Sequence, residues 1–439
     1  MHSYSDPVLP DDVWDLILDH FDDSSPHDRS ALFACSYVNR NLSILSQKRI
    51  FKDVRLNYDS VDGTDPQDTT ILVESNQTTT GRKFLQLLEG SPHIASYVHS
   101  LTVQTNSQRD QAWKSRLFEP TCCLPGFSLY QIASQLDQLT GFTLQGSLKW
   151  ERIEQRTQSF LLNVVRRMQR LRLASVEQLP ISAFQGCRDL QELCISSLNW
   201  DIPDDIIHVK KVKLSNLDIG NPSTQVDFGV EIFDSPHSPF DFTQLRTLRL
   251  STLRYTVAGI NRMLSVCAES LEVFEFSVNK PFADPSLSIA LDPPSLSSAR
   301  NLRHLTLSAC VRERVSYNAG ETYCSTDFAF IDSMIQTLPS FHSRPSSGLQ
   351  IDLSITLQQL NPRVGSIPWS KLFRSMNEAR ISSSLKVINL MVWKIYGYIR
   401  LASLSEIPGN CPELKELHER GLVNYGNRGI EEPFETLFT

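Results

Sequence analysis

Nine cysteines and ten histidines supply the side chains best suited to nucleophilic, acid–base or metal chemistry in this sequence. No two histidines stand four residues apart, the spacing that places a pair of metal ligands on one face of a helix. The cysteines lack paired CxxC spacing. The adjacent Cys122 and Cys123 cannot chelate one ion well, so both are expected in a loop or in the core. The sequence therefore predicts no metal site.

Motifs that mark nucleotide, hydrolase or metalloprotease sites are also missing from the sequence. It contains no GxxxxGKS/T, GxGxxG, GxSxG or HExxH motif. We therefore predict a non-catalytic protein that uses no cofactor. An enzyme whose site joins residues distant in the chain, such as a cysteine and its base, stays open as an alternative.

The charge balance and the hydropathy pattern limit the possible partners. A formal net charge of −7 argues against nucleic acid or an anionic membrane as the main partner, because both reward a basic face. We expect neither a secretory signal at the N-terminus nor a membrane-spanning run of apolar residues. An odd number of cysteines without such a signal fits a reducing compartment, so we predict a cytoplasmic or nuclear location.

Three helices are predicted near the N-terminus. Apolar residues recur at helical spacing after Pro10 in the first helix: Val13, Trp14, Ile17, Leu18 and Phe21. Asp28 is predicted to cap a second helix that carries Leu32, Cys35, Tyr37 and Val38. A third helix turns Leu42, Leu45 and Ile50 inward. Because three short helices cannot bury all this apolar surface among themselves, the surplus must pack on the rest of the chain or on another protein.

The segments LPDDVWDLILDHF and DRSALFACSYVNRNLSILSQKRIFKDVRL resemble the F-box, especially the forms common in fungal F-box proteins. The likeness rests on the opening Leu-Pro-x-acidic, the Ile-Leu pair, the Leu-x-x-Cys helix and the closing aromatic before a valine. The resemblance implies binding to a Skp-type adaptor and, through it, to a cullin. The adaptor-binding residues that it implies are Leu9, Pro10, Val13, Trp14, Ile17, Leu18, Leu32, Cys35, Val38, Leu42 and Leu45.

Two features depart from the F-box pattern. Leu42 stands where the family usually carries a tryptophan, and the loop between residues 19 and 31 is longer than usual. Periodicity alone favours an ordinary helical cap on the following domain, and the ordered Leu-Pro start, the helix spacing and the Phe51-x-x-Val54 end reverse that preference.

Beyond residue 80, an apolar-x-x-apolar-x-apolar pattern returns at irregular intervals. The copies begin at Val98, Leu139, Met168, Leu190, Val209, Leu245, Leu271 and Leu302, with weaker ones at Leu349, Leu385 and Leu414. Each should end in a strand of about three or four residues. Residues 82–88, 159–168 and 260–267 are predicted helices between copies. Several intervals fall near the length of a leucine-rich repeat, and the pattern looks like the irregular repeats often seen behind fungal F-boxes.

We therefore predict an α/β protein with a small all-helical F-box and an irregular leucine-rich-repeat solenoid, in which a curved parallel sheet carries outer helices. The predicted boundaries are 1–56 for the F-box, 57–80 for a linker and 81–439 for the solenoid. Residues 218–241, 279–296 and 311–326 are predicted insertions, either binding loops or disordered spacers. A conventional α/β domain is the alternative.

The resemblance implies the substrate-recognition subunit of an SCF-type (Skp–cullin–F-box) ubiquitin ligase, whose repeats bind an unknown target protein. The alternative is a repeat scaffold that never engages a ligase. Basic residues near the strands could line up as a stripe for an acidic partner, or serve only as solvated strand faces. They are Lys210, Lys211, Lys213, Arg246, Arg249, Arg303 and Arg312.

Overall fold

The computed structural model describes the chain in separate stretches. They are residues 10–21, 25–57, 80–104, 129–152, 155–177, 179–196, 200–201, 211–220, 238–252, 257–278, 294–311, 313–315, 322–324, 327–338, 348–358, 369–378, 385–395, 399–401 and 411–425. The chain forms two compact units, Met1–Val212 (unit 1) and Lys213–Thr439 (unit 2).

Unit 1 begins with three helices, α1 (Asp11–Leu18), α2 (Pro26–Cys35) and α3 (Arg40–Ile50), which we call the helical module. Asn39 caps α3, because its side-chain oxygen accepts a hydrogen bond of 2.9 Å from the backbone amide of Leu42. The module has its own apolar core, formed by Leu18, Leu32, Leu42, Leu45 and Ile50. The prediction that Leu42, Leu45 and Ile50 of α3 face inward is confirmed.

The ends of α2 differ from the prediction. The helix begins at Pro26 rather than after Asp28, which lies in its first turn. Proline suits this position, because the amide that it lacks has no partner in a first helical turn. The helix ends at Cys35, so Tyr37 and Val38 follow it instead of belonging to it. The predicted cap at Asp28 was therefore wrong.

The remainder of unit 1 alternates strands with helices. Its strands are β1 (Asp53–Asn57), β2 (Ser100–Gln104), β3 (Gly141–Lys149), β4 (Arg170–Glu177), β5 (Leu179–Pro180), β6 (Glu192–Ser196) and β7 (Trp200–Asp201). Its helices are α4 (Thr80–Gly90), α5 (Leu129–Gln135) and α6 (Gln155–Arg167), with 3-10 turns at Pro92–Tyr97, Trp150–Arg152 and Ile181–Phe184. β1, β2, β3, β4 and β6 pair in that order, all parallel, while β5 pairs with β7.

Unit 2 repeats this alternation. After β8 (Val212–Lys213), which spans the unit boundary, its strands are β9 (Asn216–Ile219), β10 (Phe240–Asp241), β11 (Thr247–Thr252), β12 (Val273–Val278), β13 (His304–Val311), β14 (Glu313–Val315), β15 (Thr322–Cys324), β16 (Leu349–Gln358), β17 (Leu385–Ile395), β18 (Ile399–Leu401) and β19 (Val423–Tyr425). Its helices are α7 (Val257–Val266), α8 (Asp327–Gln336), α9 (Trp369–Glu378) and α10 (Pro412–Glu419).

The main sheet of unit 2 is also mostly parallel. β9, β11, β12, β13, β16 and β17 pair in that order, β19 joins β17 in parallel, and β18 joins it antiparallel. β14 and β15 form a separate antiparallel pair. The predicted α/β class with mostly parallel strands and intervening helices is therefore confirmed.

Each sheet buries one face and leaves polar side chains on the other, because successive strand residues point to opposite sides. In unit 2 one buried row crosses six neighbouring strands without measurable exposure. Its members are Leu217, Leu248, Phe274, Leu305, Ile351 and Ile388. Unit 1 has a matching buried row of Leu101, Phe142, Leu171 and Leu193. Burying each such side chain contributes about 2 kcal/mol.

A backbone hydrogen-bond pattern marks the start of successive strands. The residue just before a strand offers its carbonyl oxygen to two consecutive amides of the next strand in the sheet, as Lys52 does for His99 and Ser100, at 2.9 and 3.0 Å. The same double acceptance occurs at His99, Thr140, Gln169, Ser215, Arg246 and Glu272. A carbonyl has two lone pairs, so both bonds can form. The two units are thus built from one repeating backbone device.

The strand predictions hold for most copies and fail at the last. The copy that begins at Leu414 was predicted to end in a strand. Instead, Leu414 and Leu417 lie in α10 and are buried there. A Leu-x-x-Leu spacing fits a helix face, and Pro412 at the first turn favours the helix. β17 runs from Leu385 to Ile395, so the strands are not limited to three or four residues.

The predicted linker and insertions fall mostly outside the described residues. Thr80 already begins α4, and 58–79 lie outside. The predicted insertion 218–241 contains the last residues of β9 and the whole of β10. The predicted insertion 311–326 contains β14 and β15. Of 279–296, only the last three residues are described, and Leu296 is buried.

Candidate interaction surfaces

The helical module carries most of the exposed apolar side chains. Eight large hydrophobic residues are exposed within the described stretches, and six lie in this module, counting the connection between α2 and α3. We call these six the exposed apolar set: Leu16, Ile17, Phe33, Tyr37, Val38 and Ile44. Tyr37 is 86% exposed and Val38 is 67% exposed. All six lie between residues 16 and 44, which makes this stretch the candidate interaction surface of unit 1.

Arg49 of α3 holds the C-terminal end of α1 in place. Its guanidinium donates to the backbone carbonyl oxygen of Asp15 at 2.9 Å and forms an ion pair with the carboxylate of Asp19. The hydrogen bond from Arg49 keeps the pKa of the Asp19 carboxyl below its ordinary value. These bonds orient α1, which carries Leu16 and Ile17 of the exposed apolar set.

The structure divides the predicted adaptor-binding residues into three groups. Ile17 and Val38 are exposed, as is Pro10. Val13, Trp14 and Cys35 are half-buried. Four lie in the core of the module: Leu18, Leu32, Leu42 and Leu45. Leu9 lies outside the described residues. The four core residues shape the surface from beneath, while the exposed ones are accessible to a partner.

The predicted adaptor-binding residues do not include four members of the exposed apolar set: Leu16, Phe33, Tyr37 and Ile44. Leu16 lies off the apolar stripe of α1, and Phe33 directly follows the buried Leu32. An apolar residue off the buried stripe of a short helix was the available signal, because a helix that is apolar on two sides needs a second apolar neighbour.

A hydrogen-bonded cluster occupies the polar face of unit 2. Asp352 of β16 is only 3% exposed. Its carboxylate lies 2.8 Å from the Nε2 of His304 and accepts bonds of 3.0 Å from Gln350 and 2.6 Å from Asn389. The side-chain amide of Asn424 donates in turn to Asn389 at 3.2 Å. We call these five residues the Asp352 network.

The environment of Asp352 keeps its carboxyl group ionised. Burial raises its pKa, but the hydrogen bonds from His304, Gln350 and Asn389 and the charge of His304 outweigh burial and lower the pKa to about 2. A carboxylate that is buried and already bonded on both oxygens is poorly placed to exchange protons with a substrate. The network instead connects β13, β16, β17 and β19 through side-chain hydrogen bonds.

Two buried cysteines have little nucleophilic character. Burial raises the pKa of the Cys187 thiol to about 11 and that of Cys267 to about 12, so both stay protonated near neutral pH. Cys122 and Cys123 lie outside the described residues.

Within the described stretches, no group of three or more His, Cys, Asp or Glu side chains is arranged to hold a metal ion. None of the described helices is both long enough and apolar enough to cross a membrane.

Comparison with known proteins assigns the chain to no group. No protein-family model matches it, and no curated protein matches it.

Proposed function

We propose that this chain is the substrate-recognition subunit of an SCF-type ubiquitin ligase. In this proposal the helical module is an F-box that binds a Skp-type adaptor and, through it, a cullin. The strands and helices that follow form an irregular leucine-rich-repeat solenoid that binds a target protein. Ubiquitin transfer takes place on other subunits, and this chain contributes proximity between the target and the transfer machinery.

The exposed apolar set is the observation that carries the proposal. Six of the eight large apolar side chains exposed in the described stretches lie between residues 16 and 44, and exposed apolar patches mark sites of protein interaction. Since the module already has its own core, these side chains are not needed to hold it together. Each would gain on the order of 1 to 2 kcal/mol if a partner buried it. Helices that present apolar side chains commonly bind a groove or another helix pair.

The repeating backbone device supports the solenoid part of the proposal. In a solenoid each repeat contacts its neighbours, and parallel strands at matching positions form one continuous sheet. The double acceptance at successive strand starts and the buried rows of unit 1 and unit 2 have this nearest-neighbour character within each unit. A sheet with a polar face on one side leaves that face available to a target.

Adaptor binding can be tested with two variants of the full-length chain that make the same chemical change. Val38 belongs to the exposed apolar set, and Val266 of α7 is also exposed, at 51%, outside the helical module. Val38→Asp should weaken binding to a purified Skp-type adaptor by about tenfold or more, because it places a charge in an apolar interface. Val266→Asp should bind like the unchanged chain. Biolayer interferometry with immobilised adaptor measures both.

Two outcomes would count against the ligase assignment. In the first, the unchanged chain fails to bind the adaptor at micromolar concentration. In the second, both aspartate variants bind as well as the unchanged chain. Either result would favour a repeat scaffold whose helical module meets some other protein.

A further inference from the structure

The polar face of unit 1 contains two arginines on a single strand. Arg170 and Arg172 are the first and third residues of β4, so both side chains point to the same side of the sheet, and both are exposed. Arg170 lies in register with Gly141 on one side and Glu192 on the other. Neither arginine side chain takes part in a hydrogen bond or an ion pair within the described part of the chain.

The side chain of Arg170 lies close to Gly141 of β3. A methyl group at position 141 would lie 3.6 Å from the Nε of Arg170 and 3.2 Å from the Oγ of Ser100. The first of these is an ordinary contact distance, so the Nε of Arg170 lies near the backbone of β3 while the side chain stays exposed.

Hydroxyl groups and a carboxylate lie on the strands beside the two arginines. The residues in register with Arg172 on β3 and β2 are Thr143 and Thr102, both half-buried. Glu192 is the one acidic residue on the described strands that is in direct register with either arginine. An acidic group over β4 would meet two guanidinium groups, the hydroxyls of neighbouring strands and the carboxylate of Glu192, while Asp53 and Arg55 of β1 end the same two rows three strands away.

We infer that Arg170 and Arg172 bind an acidic, extended segment of another protein. Residues two apart on a strand are about 6.4 to 6.8 Å apart, and an extended peptide spaces its alternate side chains by a similar distance. Two carboxylates at alternate positions of the segment would each meet one guanidinium, a pairing that favours planar, two-point hydrogen bonding. The inference rests on the proposed function, because the segment would belong to the target.

A long nucleic acid is a poorer fit to this surface. Two arginines beside a carboxylate neutralise few phosphates, and affinity for nucleic acid depends on how many are neutralised. The chain as a whole carries a net charge of −7, which repels a polyanion at longer range.

Fluorescence anisotropy with the full-length chain and no adaptor tests the inference. The probes are a labelled peptide of alternating glutamate and serine and the same peptide with glutamine for glutamate. The glutamate peptide should bind the unchanged chain, and the double substitution Arg170→Gln with Arg172→Gln should weaken that binding by about tenfold or more. Glu192→Gln should strengthen it, because it removes a competing carboxylate.

A matched double variant separates the site from overall charge. Arg166 and Arg167 are exposed at the C-terminal end of α6, so changing both to glutamine removes the same charge elsewhere in the repeat. This control should bind the glutamate peptide within about twofold of the unchanged chain. The inference is overturned if the control loses as much affinity, if the glutamine peptide binds equally well, or if a single-stranded oligonucleotide binds more tightly than the glutamate peptide.

The two proposals fail in different ways. Val38→Asp should leave peptide binding unchanged, and the Arg170 and Arg172 double variant should leave adaptor binding unchanged. If the unchanged chain fails to bind the adaptor, the ligase assignment alone is overturned. If it does not prefer the glutamate peptide to the glutamine peptide, the arginine site alone is overturned.

Discussion

The polar faces of the two units use their charged groups in opposite ways. In unit 1, the side chains of Arg170 and Arg172 have no partner within the described residues. In unit 2, Asp352 is almost fully buried and is held by His304, Gln350 and Asn389, and Arg249 forms a 2.9 Å ion pair with Glu275. Polar groups that satisfy one another stabilise the sheet that carries them. Unpaired charges at a surface add little to stability but remain available to another molecule.

Replacing Asp352 with alanine should cause the largest loss of stability. The change removes the acceptor shared by His304, Gln350 and Asn389, and stranded buried donors of this kind cost about 3 kcal/mol. Arg172→Ala, on the polar face of unit 1, should cost about 0.5 kcal/mol or less. Urea unfolding followed by circular dichroism compares the two variants. Equal losses would remove the distinction between the two faces.

Acidification should weaken unit 2 through the same carboxylate, with an effect of about 2 kcal/mol. The folded-state pKa of Asp352, about 2, lies below its ordinary value of 3.8. Its contribution is therefore fully present above the ordinary value and is lost as the pH falls through the folded value. Asp352→Asn keeps the shape of the side chain and removes the titration. The gap in unfolding free energy between the unchanged chain and this variant should narrow from about pH 5 to about pH 2; a constant gap would contradict the assignment.

A smaller loss of stability than at Asp352 is expected at Gly141. Gly141→Ala would place a methyl group 3.2 Å from the Oγ of Ser100, which must give by a few tenths of an ångström, at a cost of about 1 kcal/mol. The Nε of Arg170 would lie 3.6 Å from that methyl group, an ordinary contact, so affinity for the glutamate peptide should stay within about twofold. Gly90→Ala is the control, because nothing lies within 4 Å of a methyl group there. Urea unfolding and anisotropy measure the two effects. A larger loss of peptide affinity would show that the alanine displaces Arg170.

The buried side of the sheets could be predicted from the sequence because its signal is local. Within each copy of the repeat, such as Leu305 and Leu307, two apolar residues separated by one polar residue point to the same side. The inward residues of α3 follow the same logic at helical spacing. The sequence did not predict the strand β9, Asn216–Ile219. The apolar-x-x-apolar-x-apolar pattern at residues 209–214, just before it, predicts the strand of this repeat instead.

The polar side could not be predicted, because it depends on register between distant strands. His304 and Asp352 are 48 residues apart, and their contact depends on how β13 aligns with β16. A shift of one residue would turn Asp352 to the other face. Basic residues near strands could be found from the sequence, but only the register distinguishes Arg249, paired with Glu275, from the unpaired Arg170.

The double acceptance at strand starts has a consequence for how such a chain can diverge. The contact is made by backbone atoms alone, so the side chain at each position is free to vary. The residues that occupy it here are Lys52, His99, Thr140, Gln169, Ser215, Arg246 and Glu272. They share neither charge, size nor shape. A fold held together by main-chain geometry at these points can exchange its surface residues, and with them its binding partners, while its architecture persists and its sequence becomes unrecognisable.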